Sequence, residues 1–345
     1  MRAGEANQMM KIKQADSLVD LLVSALCVIA AAATPAHAVA AAAAVDMAAG
    51  YPVRPIRMLV PNAPGSSVDT LSRIIGNKMS EVIGQQLVID NRAGAGGIVG
   101  MELAKHAAPD GYTLISATTA ASTVAVLLMK NPTFHPVTDY DHVSQFAVTA
   151  NVLVVHPGLA AKSTRELIDL AKAKQLNMAS AGAGSQSHLS GAYFMSAANI
   201  QALHVPYKGG GPSVAAVLAG EAHWTLTPAA AVMTHVNAGK LRALGHSLPG
   251  KSQLMGDIAP IAETIPGFDY SGWQGFMVPK DTPRAIIEKL RAAVIKTANL
   301  PEIKNLLAAQ ATEVVTGTAE AFRAVIADSL VKNARVIKTV GLKAE

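Results

Sequence analysis

Ser180-Ala-Gly-Ala-Gly-Ser-Gln-Ser-His-Leu189 is a glycine- and serine-rich loop set between two apolar runs. Leu176-Asn-Met-Ala179 before it reads as a short strand, and Leu189-Ser-Gly-Ala-Tyr-Phe-Met-Ser-Ala-Ala198 after it reads as a helix. A strand, glycine loop and helix joined in this way gather unpaired backbone N–H groups at the positive end of a helix dipole, where a carboxylate or phosphate is favoured. The plainer alternative is an ordinary tight connection, in which Gly182 and Gly184 take positive φ and Ser185 or Ser187 caps the helix. A second loop of the same kind, Pro61-Asn-Ala-Pro-Gly-Ser-Ser-Val-Asp69, follows the strand-like Ile56-Arg-Met-Leu-Val60. Two such loops are placed to face each other across a cleft.

Outward from these loops the chain repeats one logic. Ser66 or Ser67 can cap the next helix, which runs from about Thr70 to Ile83 with Leu71, Ile74, Ile75, Met79 and Val82 on one face, and Gly84 ends it. Leu87-Val-Ile-Asp90 and Thr113-Leu-Ile-Ser116 read as further strands around the loop Asn91-Arg-Ala-Gly-Ala-Gly-Gly-Ile-Val-Gly100. Gly94, Gly96 and Gly100 miss the dinucleotide spacing by one residue. Beyond Val152-Leu-Val-Val155 the alternation resumes, with Ala202-Leu-His-Val205 leading into a third glycine joint, Pro206-Tyr-Lys-Gly-Gly-Gly-Pro212. Short strands alternating with helices predict an α/β protein with mainly parallel sheets covered on both faces. Gly272-Trp-Gln-Gly-Phe-Met-Val278 reads as a return strand, so the chain is expected to cross between two lobes near Ala150 and near Trp273.

At 345 residues, 50% hydrophobic and 15% charged, the chain exceeds one ordinary core and fits two. Arg2, Lys11 and Lys13 precede the apolar run Leu21 to Ala33, and Ala36-His-Ala38 fits a cleavage site, so residues 1–38 read as a signal peptide and 39–50 as a disordered lead-in. The single Cys27 lies in that segment, which leaves the mature chain without a disulfide or a cysteine nucleophile. The segment carries three basic residues and three acidic ones (Glu5, Asp16, Asp20), so its removal leaves the formal charge at +5. Neither G-x-S-x-G nor H-E-x-x-H occurs, no metal spacing is present, and scattered basic residues without interleaved aromatics give no nucleic-acid groove. The expectation is therefore no enzyme, no catalytic residue, no cofactor and no metal.

In series, Pro64-Gly65 with Asp69, Asn91 to Gly97, Pro109-Asp-Gly-Tyr-Thr-Leu114, Ser180 to Leu189, His204-Val-Pro-Tyr-Lys-Gly209, Gly239-Lys-Leu-Arg-Ala-Leu244 and Trp273-Gln-Gly-Phe276 with Thr282-Pro283 resemble a family. It is that of the Bug-type periplasmic solute-binding proteins of tripartite tricarboxylate transporters, the TctC-like family. The resemblance implies a two-lobed type II periplasmic-binding-protein fold, with residues 51–150 and 274–345 as lobe 1 and 151–273 as lobe 2. It further implies a monomer in the periplasm that holds a small carboxylate or amino-acid-like ligand and passes it to membrane transporter subunits. A stand-alone sensor or scavenger with the same cleft is the alternative. Carried over by position, the ligand-binding residues are Gly65, Ser66, Ser67 and Asp69 in one lobe. In the other they are Ser180, Gly182, Gly184, Ser185, His188, Tyr207, Lys208 and Gly209. One departure is Ser66, where the family usually has a second glycine.

Overall fold

In the computed structural model, which describes residues 50–342, the strand and helix signals resolve into two sheets. The leader, its cleavage site and nearly all of the lead-in lie outside the described residues. The first part of the chain comprises β1 (Ile56–Val60), α1 (Ser67–Ile83), β2 (Leu87–Asn91), α2 (Ile98–Lys105) and β3 (Thr113–Thr118). A π-helical turn (Ala120–Val124) then runs into the single turn α3 (Ala125–Leu127), followed by β4 (Tyr140–Thr149). After one linking residue come β5 (Asn151–Val155), α4 (Thr164–Ala173), β6 (Asn177–Ser180), α5 (Gln186–Ala198) and β7 (Leu203–Pro206). Next are α6 (Gly210–Leu218), β8 (Trp224–Pro228), α7 (Ala229–Asn237) and β9 (Arg242–His246). The chain ends with β10 (Gly272–Pro279), α8 (Arg284–Ala298), α9 (Pro301–Ala308), β11 (Thr312–Val314) and α10 (Ala319–Thr339).

One sheet has the order β11-β4-β10-β3-β1-β2 and the other β7-β6-β8-β5-β9. The expectation of mainly parallel sheets is corrected: both are mixed. The pairs β1–β2, β1–β3, β6–β7 and β6–β8 are parallel, and those are the strands joined through crossover helices. The strands β10, β4, β11, β5 and β9 pair antiparallel. β5 and β10 each enter their sheet from the other one, so no crossover within the sheet binds them to the parallel sense. The alternation of apolar residues that would have marked β4 is masked by the buried polar side chains His142, Ser144 and Gln145.

Each sheet is covered on both faces, as its nearly continuous apolar strands require. On β5, Val152 and Val154 pack in a cluster with Val217, Val232 and Met255, while Leu153 and Val155 belong to the opposite cluster with Phe194, Trp224 and Phe268. On β1, Leu59 joins Met101, Phe322 and Ile326, whereas Met58 lies under Gly76 of α1. A helix therefore covers each side.

The two passages between sheets are tied to one another. Asn151, which is buried, donates its backbone N–H to Ser247 Oγ at 2.9 Å and its amide Nδ2 to Tyr270 O at 2.7 Å. Tyr270 then donates its hydroxyl to Asn333 Oδ1 at 2.6 Å, and Asn333 donates to Thr123 Oγ1 at 3.0 Å. Each polar group here is removed from water and must find a partner, so α10 and the π-helical turn are fastened to the crossing point.

Gly275 on β10 has no room for a side chain, because a Cβ there falls 2.4 Å from the Phe322 ring and 2.7 Å from Ser144 O. Phe322 packs edge-on against both Trp273 and His142. Gly275→Ala is expected to lower stability by about 1–3 kcal/mol, the usual cost of overpacking a core, measured by denaturant titration. A change below about 0.5 kcal/mol, the level of a surface substitution, would show that the β10–α10 contact yields more readily than its geometry implies.

Candidate functional site

The two loops singled out in the sequence form the same local structure, once at the end of β1 and once at the end of β6. Gly65 has φ +78° and Gly184 φ +73°, the left-handed conformation that glycine tolerates without strain. The serine that follows is the N-cap in each case, with φ −67° and ψ 161° at both Ser66 and Ser185. Ser66 Oγ accepts from the Asp69 N–H, and Ser185 Oγ accepts from the His188 N–H, both at 3.2 Å. The side chain at that third helical position reaches back to the glycine, so that Gly65 N–H donates to Asp69 Oδ2 at 2.8 Å and Gly184 N–H to His188 Nδ1 at 3.1 Å. The serine N–H closes onto Ala63 O in the first loop and onto Gly182 O in the second, again at equal distances of 3.2 Å.

This arrangement is a capping box shifted by one residue, because the returning side chain satisfies the glycine N–H rather than the serine N–H. It consumes the donors of the glycine, the serine and the third helical residue. The amides of Ser67 and Val68 on α1, and of Gln186 and Ser187 on α5, are left without an acceptor among the described residues. Both pairs sit at a positive helix end and can receive an anion.

Asp69 is the organiser of the first loop. It is buried, and besides Gly65 it accepts from Asn91 Nδ2 at 2.9 Å and Arg73 Nε at 3.0 Å. Burial opposes its ionisation, but the hydrogen bonds from Arg73, Gly65 and Asn91 outweigh it and hold the carboxyl below the usual carboxylate range. With those partners the carboxylate serves the loop's own framework. Asn91 and Arg73 are parts of this framework that the sequence reading did not select. Arg73 stands one helical turn beyond Asp69, the spacing of an i,i+4 ion pair, which was the available signal.

The second loop is joined to the third glycine joint. Tyr207 N–H donates to Ser180 O at 2.9 Å and Gly209 N–H to Ala181 O at 3.2 Å, so Ser180, Gly182 and Tyr207–Gly209 lie side by side. Gly209 is the N-cap of α6, with φ 111°, and Lys208 beside it is exposed. His204 on β7, absent from the sequence-derived set of site residues, lies with Nε2 2.6 Å from Ser180 Oγ and stacks its ring on His188 at 3.9 Å and 5°. Pairing of β6 with β7 puts Met178 beside His204 and Ser180 beside Pro206. No sequence spacing announces that register.

A run of close approaches leads from the first sheet to the second loop. A Cβ on Gly97 would fall 2.5 Å from Ala121, one on Gly100 3.0 Å from Pro61, and one on Gly96 3.3 Å from Ala125. Past α3, the Leu128 side chain comes within 3.7 Å of the position a Cβ would take on Gly184. Ala121 and Val126 pack in the core of the first sheet, and Val124 packs in a core of the second. A separate cavity of about 630 Å³ beside the crossing point is lined by Gln145, Asp269, Trp273, Asp328 and Lys332. Lys332 there is already placed against Asp269 and Asp328 at 3.4 Å each, so its charge is answered internally.

Comparison with known proteins agrees with this architecture. Residues 71–342 match the family model described as "Tripartite tricarboxylate transporter family receptor". Protein BugT of Bordetella pertussis is 34% identical over 297 residues, covering 85% of this chain and 91% of BugT. Among solved structures, an adipate-bound protein of R. palustris is 27% identical with a TM-score of 0.70, covering 84% of this chain and 98% of that one. MatC of Rhodopseudomonas palustris, solved with bound malate, is 26% identical with a TM-score of 0.67, covering 83% and 100%. The two sheets, the mixed α/β layers and these likenesses define a two-lobed binding-protein fold, and the chain belongs to the tripartite tricarboxylate transporter receptor (TctC, Bug) family of periplasmic solute-binding proteins.

Proposed function

We propose that this protein captures a small carboxylate between the lobe formed by residues 51–150 with 274–345 and the lobe formed by 151–273, and delivers it to a tripartite tricarboxylate-type membrane transporter. The observation that carries this reading is the twofold occurrence of one anion-ready cap, at Gly65–Asp69 and at Gly184–His188, each leaving two helix-start amides unsatisfied. A helix terminus attracts an anion by about 0.3–1 kcal/mol when exposed and about 2 kcal/mol when partly buried. Hydrogen bonds to a charged group add roughly 1.5–3 kcal/mol each. Two helix ends closing on one carboxylate would thus supply useful affinity without an arginine clamp. Relatives solved with adipate and with malate support a carboxylate as the ligand class. The protein acts in the periplasm as a monomer after removal of residues 1–38.

The clasp is tested by proline at the first helical position, where proline is well tolerated and its missing N–H removes one proposed ligand donor. Ser66 and Ser185 are extended, as the residue before a proline requires. Ser67→Pro and Gln186→Pro are each expected to weaken carboxylate binding about 10-fold or more, given roughly 1.5–3 kcal/mol per charged hydrogen bond. Ser67→Ala and Gln186→Ala, which keep the N–H, are the controls. Calorimetry on variants whose melting temperature is unchanged decides the matter, and full affinity in both proline variants would move the site elsewhere.

The ligand class is tested by a thermal-shift screen of mono- and dicarboxylates, aromatic acids and amino acids. A ligand at a hundred times its dissociation constant stabilises the folded state by about 2.7 kcal/mol. A response confined to uncharged solutes would overturn the carboxylate reading.

For the cellular location, mass spectrometry of the protein from the cell envelope is expected to find a chain starting near Val39. An intact leader in the cytoplasm would contradict periplasmic action.

A further inference from the structure

The second loop differs from the first in one respect that bears on charge. Where Asp69 returns to its glycine as a carboxylate, the equivalent side chain on α5 is His188, and its ring lies flat on His204. Gly184 N–H is a donor, so His188 Nδ1 must be the acceptor, and His188 is held as the neutral Nε2–H tautomer while the cap is intact. His204 is under no such constraint. As the neutral Nδ1–H tautomer its Nε2 accepts from the Ser180 hydroxyl at 2.6 Å. When protonated it donates to the same oxygen, and the Ser180 hydroxyl turns to Gly182 O, 3.3 Å away. The Ser180 hydroxyl therefore accommodates either protonation state of His204 with no bond lost.

Among the described residues the pair also lacks a counter-ion. No carboxylate there acts on either ring; burial and then the neighbouring His204 disfavour the charged form of His188, and burial disfavours that of His204. Burial with the neighbouring His204 pushes His188 down to about 4. The elements packed around the pair are equally poor in acids. β6, β8 and α6 contain no ionisable acid or base, α5 contributes only Tyr193, and the adjoining turn carries Lys208. From α10, Lys332 approaches Tyr193 and is itself held by Asp269 and Asp328, while Arg335 and Lys338 are exposed. Among the described residues a positive charge on the histidine pair has no acidic partner, and His188, on which His204 stacks, belongs to the same helix start as the amides of Gln186 and Ser187, where the clasp is proposed to hold an anion.

We propose that the His188–His204 pair takes up a proton, carried on His204, when an anion enters the clasp, so that ligand capture is coupled to protonation. The inference rests on the carboxylate-binding reading above. The sign follows from linkage. Burial lowers the proton affinity of His204 in the free protein, the bound anion raises it, and binding strengthens as pH falls through the interval between the two. One proton caps the effect at about tenfold per pH unit.

The experiment is titration calorimetry between about pH 6 and 8, where carboxylates stay ionised. It uses malate, adipate and the strongest carboxylate of the thermal screen, in buffers of small and of large ionisation enthalpy. The expected result is a binding heat that depends on the buffer, corresponding to uptake of up to one proton, with dissociation constants rising toward pH 8. His204→Gln, which keeps a hydrogen-bonding partner for Ser180, is expected to abolish the uptake and flatten the pH dependence. Binding whose heat is independent of buffer would overturn this inference while leaving carboxylate capture intact. Uptake that persists in His204→Gln would place the proton elsewhere and equally overturn it. Failure of every carboxylate to bind would remove the function reading itself, and the proton coupling with it.

Discussion

The organisation of both loops depends on one constraint: the first backbone N–H groups of a helix have no partner within the helix and must find acceptors or a ligand. The chain answers it with a glycine in the left-handed conformation, a serine cap and a returning side chain, and it does so at the end of β1 and again at the end of β6. In each copy three donors are satisfied internally and the two outermost helical amides are left over. The glycine is required because any other residue at φ near +75° carries a steric penalty. The serine is required because its short side chain reaches the third amide.

What separates the two copies is the residue that returns to the glycine. Asp69 is a buried carboxylate made tenable by Arg73 and Asn91, so the first loop is rigidly tied to β2. His188 is a neutral ring supported from behind by another neutral ring. The same backbone geometry thus presents a fixed negative charge in one sheet's loop and a titratable group in the other. A binding site assembled from both would be electrically asymmetric.

The crossing region imposes a second requirement. Two passages of the chain between sheets leave polar backbone groups at Asn151, Ser247 and Tyr270, and these are satisfied by each other. Through Asn333 and Thr123 the same network reaches the π-helical turn, whose continuation brings Leu128 against Gly184. The long C-terminal helix α10 is therefore part of both lobes' support. Its residues Phe322 and Ile326 pack with the first sheet, and Val336 and Ile337 with the second.

Local chemistry by itself determined a good part of this protein. Glycine at positions 65 and 184, followed by serine, announced the turns and caps, and alternating strand and helix runs announced an α/β chain that crosses twice. The serial order of short motifs pointed to the family before any fold was seen. Sequence did not reveal the mixed pairing, since β5 and β10 enter their sheets from the other sheet and no crossover within the sheet announces their direction. Nor did it reveal β4, in which buried His142, Ser144 and Gln145 erase the apolar alternation. The partners of the site residues were equally hidden. Asn91 reaches Asp69 because β1 and β2 pair in parallel register, and His204 reaches Ser180 and His188 because β7 lies beside β6. Turns and caps depend on groups a few residues apart and are written locally, whereas contacts between strands depend on register and on burial of both sheet faces, which only the packed tertiary structure decides.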